Sequence, residues 1–431
     1  MASQGTTLCV VNTSGLDITD IKVSNIDNYD WGDDTNRPDH NFQGAAIPRN
    51  DSRCEHEELN RNANGVSFGM TLSFSNNTSL FFAGNQQDAF DKQDRLYPAT
   101  GSATPFLQVY QTSGGGSNAM NIQTIQAPDN SGWMGELLER NPNVTVNQIT
   151  MPGSHDAGMY TISRTTVGSQ PEWAQTQSLD IAGQLRAGSR YFDLRLYYDG
   201  QQLTTGHFSA DMGSFGPPLT EVLMQVRSFI DSPAAAKEAV FLKFSHTSSG
   251  LACMEKNSDM TTNAVAEIKS ILGDVLYTTP DASTNLASLP LSTLAGKVCV
   301  VVDYEYGPLV DPAEGIFRYT DITPDNLTGT IPGLDVFDQY SDTDSLDDMR
   351  ADQQKKLQEY GGYGKPYLFL MSWTLTGKFG KILDVQVLAG MANPWLPMFT
   401  TNARSGAIKP NIIYYDYVNP YLCRCIIETN A

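Results

Sequence analysis

The chain has 431 residues, 48 acidic against 28 basic side chains, a formal net charge of −20 at pH 7 and 40% apolar residues. That charge excludes broad nucleic-acid binding, which depends on clustered Lys and Arg, and it opposes bulk attraction to anionic membranes, so a lipid-directed role would have to use local contacts. The apolar content excludes a disordered chain, and a length beyond the roughly 250 to 300 residues of a single core predicts two domains.

Residues 1–127 read as strands and turns. Thr6 to Val11 and Ile18 to Val23 are strand-like, and Val66, Phe68, Met70, Leu72 and Phe74 alternate with small or polar residues, the period of a strand with one buried face. Phe106 to Tyr110 and Met120 to Ile125 flank a glycine-rich stretch and predict a hairpin. The expectation is an all-β sandwich, with Tyr29 and Trp31 in a polar loop suited to a lipid interface or a sugar. Ala127 to Gly132 reads as a linker, followed by a short helix from Met134 to Arg140.

From residue 133 to the C-terminus, apolar strands alternate with helices. The predicted strands are Asn147 to Met151, Tyr191 to Leu196, Val240 to Phe244, Val298 to Val302, Tyr367 to Met371 and Ile412 to Tyr415; the helices include Leu219 to Ile230, Asn263 to Leu272 and Leu346 to Tyr360. Ser345 followed by Asp348 predicts a capped start for the last helix. Alternation over this length predicts an α/β fold, an irregular (β/α) TIM-type barrel, preceded by the sandwich.

No apolar run approaches the ~20 residues that span a bilayer, and Met1 to Thr7 shows no secretory signal. A soluble protein peripheral to membranes is expected, with secretion or a cytoplasmic place left open. Six cysteines are too few for a disulfide scaffold; Cys9 with Cys54 is one pairing open to them, and Cys423 and Cys425 read as buried thiols.

In such barrels the chemistry sits at the carboxyl ends of the strands. There the sequence places His155 and Asp156, then Asp193 and Arg195, His207 after Gly206, Lys243, Asp303, Asp338 with Tyr340, and Asp416. Two imidazoles, a guanidinium and carboxylates that orient them are what phosphodiester cleavage by general acid/base catalysis requires. Any one histidine beside a glycine-rich turn has a simpler account as a surface or packing residue; His246 is a bystander by that standard.

Ile149 to Gly158 (ITMPGSHDAG), followed by Gly188 to Arg195 (GSRYFDLR) and Gly206-His207, resembles the X-domain signature of phosphatidylinositol-specific phospholipase C, particularly its bacterial, metal-independent branch. The resemblance runs from about Val144 to the C-terminus. It implies that His155 is the general base toward the inositol 2-hydroxyl, supported by Asp416, and that His207 is the acid toward the diacylglycerol oxygen, assisted by Asp156. Arg195 would stand where metal-dependent relatives keep a calcium-binding carboxylate, implying no metal and no cofactor. Asp338 and Tyr340 are similar to the family's Asp-x-Tyr that grips the inositol ring. The pattern breaks at Asp303, where the family tends to place an arginine, and Lys243 stands two residues before the expected lysine. The implied partner is an inositol phospholipid or inositol-containing glycolipid at a membrane surface, with no nucleic acid; oligomeric state stays open.

Residues 1–127 are similar to small fungal sandwich proteins of the aegerolysin type, implying an accessory lipid- or glycan-binding domain. Two other readings stand beside these: a metal-dependent glycerophosphodiesterase-like barrel, and a catalytically inactive lipid- or glycan-binding protein.

Overall fold

A computed structural model describes residues 5–12, 16–27, 42–49, 51–58, 66–77, 79–86, 94–101, 107–113, 116–122, 128–209, 212–248, 258–327, 332–378 and 383–431. The chain divides into two units, one of residues 1–127 with 389–402 and one of residues 128–388 with 403–431. Tyr29, Trp31 and Phe106 lie outside the described residues.

The first unit contains β1 (Gly5–Asn12), β2 (Ile18–Asp27), β3 (Asp51–Glu58), β4 (Val66–Phe74), β5 (Ser79–Gln86), β6 (Asp94–Gly101), β7 (Leu107–Ser113) and β8 (Gly116–Ile122). They form two four-stranded antiparallel sheets, β3-β1-β7-β8 and β2-β4-β5-β6. On β4 the expected alternation holds: Met70, Leu72 and Phe74 are buried while Thr71 and Ser73 are not. Cys9 lies directly opposite Cys54 across the β1–β3 ladder and is disulfide-bonded to it.

The second unit contains a closed barrel of eight parallel strands: β9 (Met151–Ser154), β11 (Tyr191–Tyr198), β14 (Ala239–Ser248), β15 (Lys297–Val302), β16 (Ile316–Asp321), β17 (Leu334–Asp338), β18 (Leu368–Trp373) and β19 (Ile412–Tyr415). β9 pairs with both β11 and β19, which closes the ring. From β11 the sheet continues outward through β12 (Leu203–Ser209), β13 (Met212–Pro218) and β10 (Arg164–Thr165), all antiparallel.

Among the described residues the α-helices are α1 (Trp133–Arg140), α2 (Ile181–Ala187), α3 (Leu219–Ile230), α4 (Ser258–Leu272), α5 (Leu346–Tyr360), α6 (Val385–Ala392), α7 (Leu396–Ser405) and α8 (Pro420–Ile427). α3 buries Leu219, Val222, Leu223, Val226 and Ile230, one face at helical spacing, in a cluster shared with Phe192, Leu194 and Leu196 of β11 and Val240, Leu242 and Phe244 of β14. Each such side chain contributes about 1.5 to 3 kcal/mol of burial. Because a strand alternates faces, that packing turns Asp193, Arg195 and Lys243 to the opposite side, into the barrel.

The closing strand differs from expectation. Residues 146–148 form a 3-10 turn under a Thr145/Gln148 capping box, and the strand is Met151–Ser154 instead of Asn147 to Met151. Pro and Gly normally argue against a central strand. Here Gly153 is demanded by packing, since a Cβ on it would lie 2.8 Å from Cβ of Tyr414 on the neighbouring strand. β16, interrupted by Arg318, Thr320 and Asp321, is a strand that apolar-run reading does not find.

Candidate active site

Strand register assembles the site. Ser154 of β9 pairs with Tyr415 of β19, so the residues that follow, His155 and Asp416, emerge side by side. His155 Nδ1 lies 2.7 Å from Asp416 Oδ1, and its Nε2 lies 2.9 Å from Arg195 Nη2. A guanidinium can only donate, so Nε2 is the acceptor and the imidazole proton sits on Nδ1, donated to Asp416. Burial alone pushes the His155 imidazolium down, but the charge and hydrogen bond of Asp416 outweigh it and the net direction is upward.

His207 comes from β12, outside the ring of eight. Its Nδ1 lies 2.5 Å from Oδ2 of the fully buried Asp156. Arg195 reaches the same Asp156 oxygen at 3.5 Å and donates from Nε and Nη2 to Asp193 Oδ2 at 3.2 and 3.0 Å. One guanidinium therefore stands between two His–Asp dyads. The approach is tight: a Cβ on Gly158 would lie 2.2 Å from the Thr205 side chain, so the segment after Asp156 can lie against β12 only as glycine.

Asp156 itself has φ of 41°, and His246 and Tyr417, also just past strand ends or within them, have φ of 56° and 55°. Left-handed backbone at non-glycine residues clusters at functional sites, where surrounding contacts hold it. For Asp156 those contacts include its N–H directed at Asp193 Oδ2, 3.4 Å away.

The other side of the mouth is formed by β14 to β17. Asp193 and Lys243 are register partners on β11 and β14, and Lys243 Nζ lies 3.1 Å from Asp193 Oδ1 and 3.5 Å from Asp338 Oδ2, above the Tyr319 ring. Burial alone would raise the Asp193 carboxyl, but Lys243 and Arg195 hold it well below the usual range. Tyr319 donates to Asp338 Oδ2 at 2.9 Å, and Tyr340 is 57% exposed.

Asp303 caps the turn after β15 by accepting the Glu305 N–H at 2.9 Å, and its other oxygen faces the His246 N–H at 3.4 Å. Burial and Glu305 push its carboxyl upward. Asp321, at the end of β16, accepts from Gln339 Nε2 at 3.0 Å and from the Asp338 N–H at 3.3 Å. Burial and the neighbouring Asp338 carry it up to about 6.

The ten residues that the sequence nominated lie on strands of one sheet or within two residues of them, nine on the ring of eight and His207 on β12. His155, Asp156, Arg195, His207 and Asp416 are linked through the guanidinium; Lys243 and Asp338 join the same network through Asp193. Sequence reading passed over Asp321 and Tyr319, because their strand was not recognised, and set aside His246, whose signal is a backbone angle.

No family model matches the chain. It is 30% identical over 142 residues to the variant-surface-glycoprotein phospholipase C of Trypanosoma brucei brucei, covering 26% of this chain and 38% of that protein. With human PI-PLC X domain-containing protein 2 the identity is 27% over 214 residues, 44% of this chain and 65% of that protein. With human PI-PLC X domain-containing protein 3 it is 31% over 135 residues, 26% and 41% of the two. The chain therefore spans less than two thirds of the length of these relatives. Among solved structures, the phosphatidylinositol-specific phospholipase C from Listeria monocytogenes superposes with a TM-score of 0.52 at 19% identity, over 70% of this chain and all of that one. A variant of the Staphylococcus aureus enzyme gives 0.51 at 17%, over 71% and 99%. In sequence the chain is similar to the PI-PLC X domain-containing proteins, and its barrel has the fold of the bacterial phosphatidylinositol-specific phospholipases C.

Proposed function

We propose that this protein cleaves the phosphodiester of phosphatidylinositol-type lipids by acid/base catalysis between His155 and His207. The observation that carries the reading is the single guanidinium held between two His–Asp dyads. His155 Nε2, already an acceptor, takes the proton of the inositol 2-hydroxyl as that oxygen attacks phosphorus. The bond from phosphorus to the diacylglycerol oxygen breaks, and His207 delivers a proton to the leaving oxygen. The products are diacylglycerol and inositol 1,2-cyclic phosphate. Arg195 offsets charge on the phosphoryl oxygens, and Asp416 and Asp156 hold each ring in its working orientation.

Asp338, Tyr340, Lys243 and Asp303 form the head-group side, residues 1–127 serve as an accessory lipid- or glycan-binding domain, and catalysis needs no metal. The last point is supported by the pairing of Asp156 and Asp193 with Arg195 and Lys243: the carboxylates that could ligate a cation at the phosphate already face cationic side chains. The Cys9–Cys54 disulfide favours an oxidising compartment. Among the described residues no helix is long and apolar enough to cross a membrane.

Phosphorus NMR of the products formed from phosphatidylinositol vesicles, with and without EDTA, tests this. The expected result is a cyclic phosphodiester signal that survives the chelator. Loss of activity in EDTA would favour the metal-dependent alternative, and no product from any inositol lipid would favour the binding protein.

A further inference from the structure

We propose that Gln353 and Lys356 of α5 are positioning residues that set the place of the exposed Tyr340 ring at the head-group side of the mouth. The inference rests on the placing of Tyr340 on the head-group side in the proposed function.

Beyond Asp338 the chain leaves β17, and residues 339–341 belong to no helix or strand. The Tyr340 ring is largely exposed, so core packing does not fix it. Its main chain is fixed instead by side chains of α5. Gln353, fully buried, donates from Nε2 to the Gln339 carbonyl and to Ser341 Oγ, both at 2.9 Å. Its Oε1 accepts the Ser372 N–H of β18 at 3.0 Å, so one amide ties the segment to the barrel wall. Lys356 donates to the carbonyls of Gln339 at 3.0 Å and Tyr340 at 3.1 Å.

Asp352 completes the group by accepting from Lys356 at 2.6 Å and from Ser341 Oγ at 2.7 Å. Residues 353 and 356 are three apart and 352 and 356 four apart, so the helix presents them on one side. At the other end of the segment, Gln339 Nε2 and the Asp338 N–H both reach Asp321 Oδ1. The main chain that carries the ring is thereby tied both to α5 and to Asp321 at the end of β16. A cation bonded to two successive carbonyls, where the residue's own side chain faces solvent, fixes where that side chain stands without adding apolar burial.

The test compares Lys356→Met, Lys356→Arg, Tyr340→Ala and the Lys356→Met/Tyr340→Ala double variant in the full chain. On phosphatidylinositol vesicles, Lys356→Met is expected to raise KM about tenfold with kcat nearly unchanged, as expected when a charge-assisted positioning bond is lost. Lys356→Arg should restore most of the KM, and the double variant should be no worse than Tyr340→Ala alone. Chymotryptic cleavage after Tyr340 should be faster in Lys356→Met than in wild type and slow again in Lys356→Arg, a readout that does not depend on catalysis. Unchanged KM and unchanged cleavage in Lys356→Met would overturn the inference, as would full additivity in the double variant. Failure of the enzymatic reading is recognised separately, by full turnover in His155→Ala.

Discussion

On the side of the mouth formed by β9, β11, β12 and β19, each site carboxylate has a cationic or imidazole partner: Asp156 with His207 and Arg195, Asp193 with Arg195 and Lys243, Asp416 with His155. On the side formed by β15 and β16, Asp303 and Asp321 face amide and side-chain N–H groups, and both carboxyls are pushed upward. The residue type is the same, and all five stand on barrel strands or just past them. What differs is whether burial is answered by an opposite charge, as for Asp193, whose carboxyl is held low, or by neutral donors, as for Asp303 and Asp321, whose carboxyls rise. The first arrangement suits the handling of a phosphate and its proton transfers. The second suits a polyhydroxyl ring that exchanges hydrogen bonds.

The largest expected effect breaks the first side outright. His155→Ala and His207→Ala should each lower kcat/KM toward phosphatidylinositol by roughly a hundredfold to ten-thousandfold while circular dichroism and the unfolding transition stay as in wild type. Full turnover in either variant removes the enzymatic assignment.

Between the dyads, Asp156 serves both His207 and Arg195 whereas Asp416 is bonded to His155, so Asp156→Asn should cost more turnover than Asp416→Asn. The pH profile sharpens this. Asp416 is what carries the His155 ring upward, and a base must be neutral to act, so activity should rise with pH through a His155 ionisation above the ordinary histidine value. In Asp416→Asn that acid limb should move to lower pH; a limb that stays in place would mean another group controls it.

Next is the joint between the two sides. Lys243→Met removes the cation that Asp193 and Asp338 share, while Arg195 still faces Asp193 and Tyr319 still donates to Asp338, and denaturant unfolding should report a loss of about 1 to 3 kcal/mol. A change near zero would mean that water reaches those carboxylates freely.

The smallest effect concerns Asp321. Its folded-state ionisation, near 6, lies above the unfolded value, so the folded state binds the extra proton and stability falls as pH rises between about 4 and 6. Asp321→Asn should flatten that part of the stability profile and remove any KM step near pH 6. A profile identical to wild type would show that solvent, and not Asp338, governs this carboxyl.

Much of this was open to reading before any coordinates. α3 and α5 fall where their apolar spacing and capping place them, Leu219–Ile230 and Leu346–Tyr360, with Ser345 accepting the Asp348 N–H. Local physics suffices there, because a helix face and a cap are defined by residues within one or two turns. The ten nominated site residues could likewise be named from their places on or after the strands and from the ordered motifs that carry the family resemblance.

The remainder needed the closed ring. β9 contains Pro152 and Gly153 and becomes a strand only because β11 and β19 supply partners on both sides. β16 lacks an apolar run, so Asp321 and Tyr319 stayed hidden with it. Side-chain type and strand alternation are local properties, so the kinds of ionisable group at the barrel mouth could be named from the residues alone. Only the tertiary structure decided which carboxylate meets which cation: Arg195 reaches His155 across 40 residues, and Asp416 reaches it across 261. Such pairings depend on barrel closure and register between strands distant in the chain, and those are set by the packing of the whole sheet rather than by any segment of it.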